Sequence, residues 1–231
     1  MTTERRYTRR TSLTRFGGAL ATVLGAGGME AADAGARSTG PAAVASGAVK
    51  CVLTPEMTEG PYYIADEKVR RNITDGHAGV ALRLRLSVVD ASTCTAIKRA
   101  AVDIWHADAS GVYSGFGSGA SSRTFMRGIQ PTDARGVALF DTIYPGWYQG
   151  RAVHIHVKVH LGGNVVHTGQ LFFPDPLTDA VYERSPYSAR PNRTTRNADD
   201  SIFVNGGSKS MLTLTRSGAG YVGAIVMGVQ R

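Results

Sequence analysis

The residues whose types and spacing could do chemistry lie in one short run, Tyr148-Gln-Gly-Arg151-Ala-Val-His154-Ile-His156. From Val153 to His160 apolar and polar residues alternate, which is the two-residue period of a half-buried β-strand. That period places His154 and His156 on one face, with Cβ atoms roughly 6.5–7 Å apart, and turns Ile155 and the valines the other way. Two imidazoles so spaced can share a metal ion. Tyr148 follows the turn signal Pro145-Gly146-Trp147, so its phenol can fold back over the same spot. A phenol must shed a proton near pKa 10 before it ligates, which makes it a poor partner for zinc or copper at neutral pH. A hard trivalent ion such as Fe³⁺ carries enough charge to drive that ionisation. Tyr113, thirty-five positions upstream, supplies a second phenol.

The run from Gly136 to Val159, read Gly-Val-Ala-Leu-Phe-Asp-Thr-Ile-Tyr-Pro-Gly-Trp-Tyr-Gln-Gly-Arg-Ala-Val-His-Ile-His-Val-Lys-Val, resembles the intradiol ring-cleavage dioxygenases. That non-haem Fe(III) family includes the catechol and protocatechuate dioxygenases. Trp105-His-Ala-Asp-Ala-Ser-Gly-Val-Tyr113 is similar to the family's first tyrosine-ligand motif, and Thr58-Glu-Gly-Pro-Tyr-Tyr63 to its N-terminal active-site segment. The resemblance spans about residues 50 to 230. It implies that Tyr113, Tyr148, His154 and His156 are iron ligands, with Tyr148 also a general base. It matches Arg151 and Gln170 to the family's pocket arginine and glutamine, and puts Pro61 and Tyr62 in the substrate-pocket wall. The implied reaction cleaves a catechol between its oxygen-bearing carbons with dioxygen, giving a cis,cis-muconate. Two residues separate Tyr148 from Arg151, fewer than in many cytosolic members, which implies a more open pocket rim.

The other polar residues near these motifs read more plainly. His160 shares the face of the histidine pair but lies about 13 Å further along, and Lys158 between them suggests a solvated end. His77 and His167 sit near turns and read as surface residues. His106 beside Trp105 reads as a satisfied structural histidine, with support of the site as the alternative. Trp147 is expected to pack.

Short strands must carry these residues. Alternation marks Val80–Val89, with Leu82, Leu84, Leu86 and Val88 on one face; further strands are expected at 101–105, 137–143, 153–160 and 165–173. A hairpin of 210–216 and 221–229 around Ser-Gly-Ala-Gly closes the chain. Only 176–183 reads as helix, with Asp175 as its cap. Many strands between Gly/Pro turns indicate an all-β fold, a single β-sandwich with little helix. Two long loops, 110–122 and 182–205, suggest functional segments.

Composition sets the outer limits. The 231 residues are 42% hydrophobic and 19% charged, with 28 glycines, a globular profile suited to a loop-rich β protein. Arg9-Arg10-Thr-Ser-Leu13, the apolar run 16–28 and small residues near Ala34-Gly-Ala36 read as a twin-arginine signal peptide over 1–36, a basic tail being the alternative. The apolar run is too short and glycine-rich to span a membrane. Export to the periplasm or beyond is therefore expected, followed by a flexible linker over 37–50 and a catalytic domain over 51–231. Six arginines against three acids in the first forty residues leave about +5 of the net +8 for the rest. Those charges are scattered, without the basic stripe of a nucleic-acid surface. Cys51 and Cys94 are the only cysteines; an exported pair points to a disulfide, two free thiols being the alternative. Without a segment like the helical N-terminal dimerisation element of cytosolic catechol dioxygenases, a monomer or small homo-oligomer is expected. The rival reading is a secreted β-sandwich binding module for carbohydrate or copper. Against it, Trp105 and Trp147 fall inside the metal-site motifs, and copper favours Met, His and Cys over phenols.

Overall fold

A computed structural model describes residues 53–65, 68–116 and 119–231, all within the unit Ser38–Arg231. The signal peptide, the linker and Cys51 lie outside the described residues. Among the described residues, eight strands form two four-stranded sheets. They are β1 (Ala81–Asp90), β2 (Ala101–Trp105), β3 (Arg127–Pro131), β4 (Val137–Ile143), β5 (His154–Leu161), β6 (Asn164–Phe172), β7 (Thr213–Ser217) and β8 (Gly220–Val229). One sheet runs β4-β1-β8-β7 and the other β3-β2-β5-β6. This is the expected all-β sandwich. Among the described residues no helix is long and apolar enough to cross a membrane.

The core lies between the sheets. Leu82, Leu84, Leu86 and Val88 of β1 point inward and are fully buried, while Arg83 and Arg85 face solvent. Val102 and Ile104 of β2 and Ile155, Val157 and Val159 of β5 meet them from the other sheet. Burying each such side chain is worth about 1.5–3 kcal/mol relative to exposure, so Leu84→Ala would cost about 2–5 kcal/mol.

β5 departs from a plain sandwich strand: it is buried on both faces from His154 to Val159. The face opposite the core is covered by loops, which enclose a second, smaller cluster of Trp105, Ala107 and Tyr113 with Tyr62, Tyr63, Phe116 and Tyr148. The two-residue period therefore separates core from site rather than core from solvent.

One strand is added to those expected, and two expectations change in detail. β3 carries Gly128 and Pro131 and no alternation. It is the edge strand of its sheet, paired along its length with β2 and bridged on its other side at Ile129 by Val69, a position where a proline is tolerated, and sequence pattern does not mark it. Helix α1 spans Asp175–Tyr182 with Pro174, not Asp175, at its N-cap. Asp175 instead accepts from Arg193 and from Asn197 N. The segment 182–205 is not uniformly irregular, since it holds two 3₁₀ turns and a short helix, α2 (Ser201–Val204), capped by Asp200.

Candidate active site

Strand β5 positions the two histidines. Pairing sets Trp105 of β2 and Gln170 of β6 on either side of His156. Trp105 stacks flat on the His156 ring, centroids 4.9 Å apart, so the imidazole plane is held by packing. His154 Nδ1 lies 2.6 Å from the Ala152 carbonyl oxygen. A carbonyl can only accept, so Nδ1 carries the proton and Nε2 presents its lone pair. That Nε2 lies 3.0 Å from His156 Nε2 and 3.1 Å from the Tyr148 hydroxyl. Burial holds His154 down to about 3, with Arg151 adding to the effect, and burial followed by His154 pushes His156 well below the usual range. Both rings are neutral lone-pair donors.

Two loops bring in the phenols. After β2, Asp108 accepts from Ser110 N and Val112 N at 2.8 and 3.0 Å, closing the turn that leads to Tyr113. The Tyr148 loop is docked on the same turn. Gly146 N donates to the Asp108 carbonyl at 3.0 Å, and a Cβ on Gly146 would run into the carbonyl oxygens of Asp108 and Ala109, so only glycine fits. Arg190 ties the two loops together, donating from Nη1 to both the Ser110 and Trp147 carbonyls, while Trp147 Nε1 donates back to the Arg190 carbonyl at 2.9 Å. The Tyr113 and Tyr148 rings meet edge-on, centroids 5.7 Å apart. Burial raises the pKa of both phenols. The buried Tyr113 hydroxyl has no hydrogen-bond partner within normal geometry.

Arg151 and Gln170 reach the same place. Arg151 Nε donates to Asp200 Oδ2 at 3.0 Å, Nη2 donates to Gln170 Oε1, and Nη1 lies 3.5 Å from His154 Nε2. Gln170 Nε2 donates to the Thr58 carbonyl at 2.9 Å. Tyr62 stacks on Tyr113 at 4.3 Å and meets Phe116 edge-on. Pro61 is exposed in the turn before it. The structure thus brings Tyr113, Tyr148, Arg151, His154, His156, Gln170 and Tyr62 into one cluster, with Pro61 at its outer edge.

Several residues depart from their reading in the sequence. Lys158 is buried, not solvated: its ammonium pairs with Glu59 and lies 3.6 Å from the centre of the Tyr63 ring. His167 is 1% exposed rather than superficial, and burial lowers its pKa to about 4. His77 is half-buried, with Nδ1 3.3 Å from Asp108 Oδ2. His106 behaves as the structural histidine expected, bonded to the Ala107 carbonyl and Thr142 Oγ1 at 2.8 Å each. Neither tryptophan is a sugar platform: Trp105 is buried and Arg190 covers the Trp147 ring. Sequence reasoning missed Asp108, Arg190 and Asp200. An aspartate before Ser201-Ile-Phe is a helix-cap signal that could have drawn attention to Asp200, but nothing local ties it to Arg151.

A metal fits this donor set. Among the described residues no three His, Cys, Asp or Glu side chains form a cluster able to hold an ion, so any ion here would rest on two imidazoles completed by phenols. Two imidazole lone pairs, a phenol oxygen on the same nitrogen and a buried, unpartnered second phenol all favour a cation among them.

Residues 58–192 match the protein family described as Dioxygenase. The intradiol ring-cleavage dioxygenase from Tetranychus urticae is 36% identical and superposes with a TM-score of 0.74, covering 78% of this chain and 95% of that one. The dioxygenase domain of a dioxygenase carbohydrate-binding protein fusion from Streptomyces sp. SirexAA-E is 30% identical, with a TM-score of 0.61 over 77% of this chain and 98% of that one. Chlorocatechol 1,2-dioxygenase from Cupriavidus pinatubonensis is 27% identical over 151 residues, 54% of this chain and 57% of that protein. The chain thus spans a little over half the length of the curated relatives it matches. This chain belongs to the intradiol ring-cleavage dioxygenase family.

Proposed function

We propose that the protein is a ferric-iron intradiol dioxygenase. It cleaves a catechol-type diol between its oxygen-bearing carbons, inserting both atoms of dioxygen to give a cis,cis-muconate-type product. The observation that carries this reading is the convergence of His154 Nε2, His156 Nε2 and the Tyr148 hydroxyl within 3.0–3.1 Å contacts, beside the buried Tyr113 phenol. Tyr113, Tyr148, His154 and His156 would hold the iron, and its charge would ionise the phenols and the diol hydroxyls alike. The names of the relatives, intradiol and chlorocatechol dioxygenases, agree with this substrate class.

The surrounding residues account for binding and proton handling. Tyr62, Tyr113 and Phe116 form an aromatic wall suited to a flat ring. Tyr148, half-buried on its loop, takes up a diol proton at Oη once ionised. Arg151, held in plane by Asp200 and Gln170, aims Nη1 at the histidine pair and stabilises negative charge on the diol ring. Packing over this face excludes water and so strengthens that effect.

We also place the mature protein outside the cytoplasm, exported through the twin-arginine leader of residues 1–36 as a secreted, bacterial-type member. A bond between Cys51 and Cys94 suits that compartment. Leu53 and Ser92 line one surface cavity of about 390 Å³, and each lies two residues from a cysteine.

The test is direct. Protein from an iron-replete host should hold about one ferric ion per chain, show a visible tyrosinate charge-transfer band, and consume oxygen with a member of a panel of catechol, protocatechuate, hydroxyquinol and alkylated catechols. Stoichiometric zinc without visible absorption, or no oxygen uptake on any diol, would overturn the reading.

A further inference from the structure

Lys158 takes the third place in the row that begins with His154 and His156. Its side chain is only 8% exposed. Burying an ammonium is costly unless it is paired, and an apolar side chain would fill the same space. Here the charge is used to reach a segment from the far end of the chain, since its partner Glu59 is 99 residues away.

Glu59 lies in a strap, residues 57–63, that crosses the site. Met57 N donates to the Thr168 carbonyl at 2.9 Å. From there to Lys68, the ties to the sheets among the described residues are made by side chains. Gln170 holds the Thr58 carbonyl, and Lys158 holds Glu59 and sits over the Tyr63 ring. Tyr63 in turn packs on Trp105 at 4.9 Å. Between these ties, Gly60, at φ +73°, passes so close that a Cβ would lie 3.1 Å from His156 Cε1, and Tyr62 is delivered onto Tyr113.

We propose that Lys158 is a positioning residue that fastens the 57–63 strap through Glu59 and thereby fixes Tyr62 as a wall of the diol subsite. The second half of this statement rests on the proposed function; the first does not. Lys158 touches neither diol nor iron, so it governs substrate affinity rather than metal binding or the chemical step.

The experiment compares Lys158→Met, Glu59→Gln and the double variant with wild type in the iron-loaded, full chain. Amide hydrogen exchange of peptides covering 57–63, measured without substrate, should speed up in all three by about tenfold, the effect of losing one charge-assisted hydrogen bond. The double variant should be no worse than either single one, because both remove the same link. Iron content and the visible band should stay at wild-type values. KM for the diol should rise by a similar factor with kcat within about twofold, the signature of lost binding common to ground and transition states. Lys158→Arg should recover part of both effects. Glu59→Gln alters a half-exposed side chain, so it reports even where Lys158→Met fails to fold. Wild-type exchange rates in Glu59→Gln, or additive effects in the double variant, would overturn the proposal. A wild-type protein that turns over no diol would count against the proposed function alone, because exchange still decides whether Lys158 fastens the strap.

Discussion

Asp200 holds Arg151 from the side opposite the histidines. One oxygen, Oδ2, accepts from Arg151 Nε at 3.0 Å and from Ala152 N at 2.8 Å, while Oδ1 accepts from Ile202 N and Phe203 N and caps α2. The carboxylate is 1% exposed, and a charge so placed sets both the angle of the guanidinium and the entry of the chain into β5. Asp200→Asn keeps a capping oxygen and removes the charge. Its kcat is expected to fall about tenfold, one charge-assisted hydrogen bond's worth of orientation, with the visible band unchanged. Arg151→Ala should fall further, by about 10²–10³ as for other preorganised stabilisers. Lysine should rescue little, since it lacks the planar fork that spans Asp200 and Gln170. Steady-state turnover with spectra of the same samples checks both.

The four donors should be separable by metal content and colour. His154→Ala removes the nitrogen that faces both His156 and Tyr148, so iron should be lost. Tyr148→Phe leaves both imidazoles and Tyr113 in place, so iron should be retained with a shifted band and slower uptake of the substrate proton. Iron assay and absorption spectra decide; a Tyr148→Phe protein with the wild-type band would remove that phenol from the ligand set.

His167 should make the fold acid-sensitive. Burial lowers its pKa from 6.5 to about 4, so between those values the unfolded chain binds a proton that the folded chain refuses. The stabilisation is therefore full above pH 6.5 and is lost as pH falls to about 4. The full window is worth on the order of 3 kcal/mol. Nε2 of His167 is buried without a partner, so His167→Leu should flatten the decline of thermal stability between pH 7 and 4.5 relative to wild type. Parallel pH profiles for the two proteins would refute this.

The cysteines give a stability prediction. If Cys51 and Cys94 are joined, no thiol should titrate in native exported protein. Replacing both with serine should then lower stability by about 4 kcal/mol on the chain-entropy account of a loop of about 43 residues. Iron content should not change, because neither cysteine falls within the motifs that carry the donors. Two titratable thiols in unreduced protein would rule out the bond.

The sequence by itself determined the direction of the histidines. Local backbone sterics impose a two-residue period on any strand, so His154 and His156 share a face wherever β5 is placed, and the turn at Pro145-Gly146 returns Tyr148 beside them. The four inward residues of β1 were legible for the same reason, and the helix near Asp175 from the start signal of Asp175-Pro176. Tertiary structure alone decided what covers that face. Lys158 reads as solvated because its period says only which way it points, and its burial depends on Glu59, 99 residues away. Arg151 finds Asp200 across 49 residues, and Arg190 reaches Ser110 across 80. Contacts at such separations follow from how the loops pack over the sheet, and no pattern within a strand or turn encodes them.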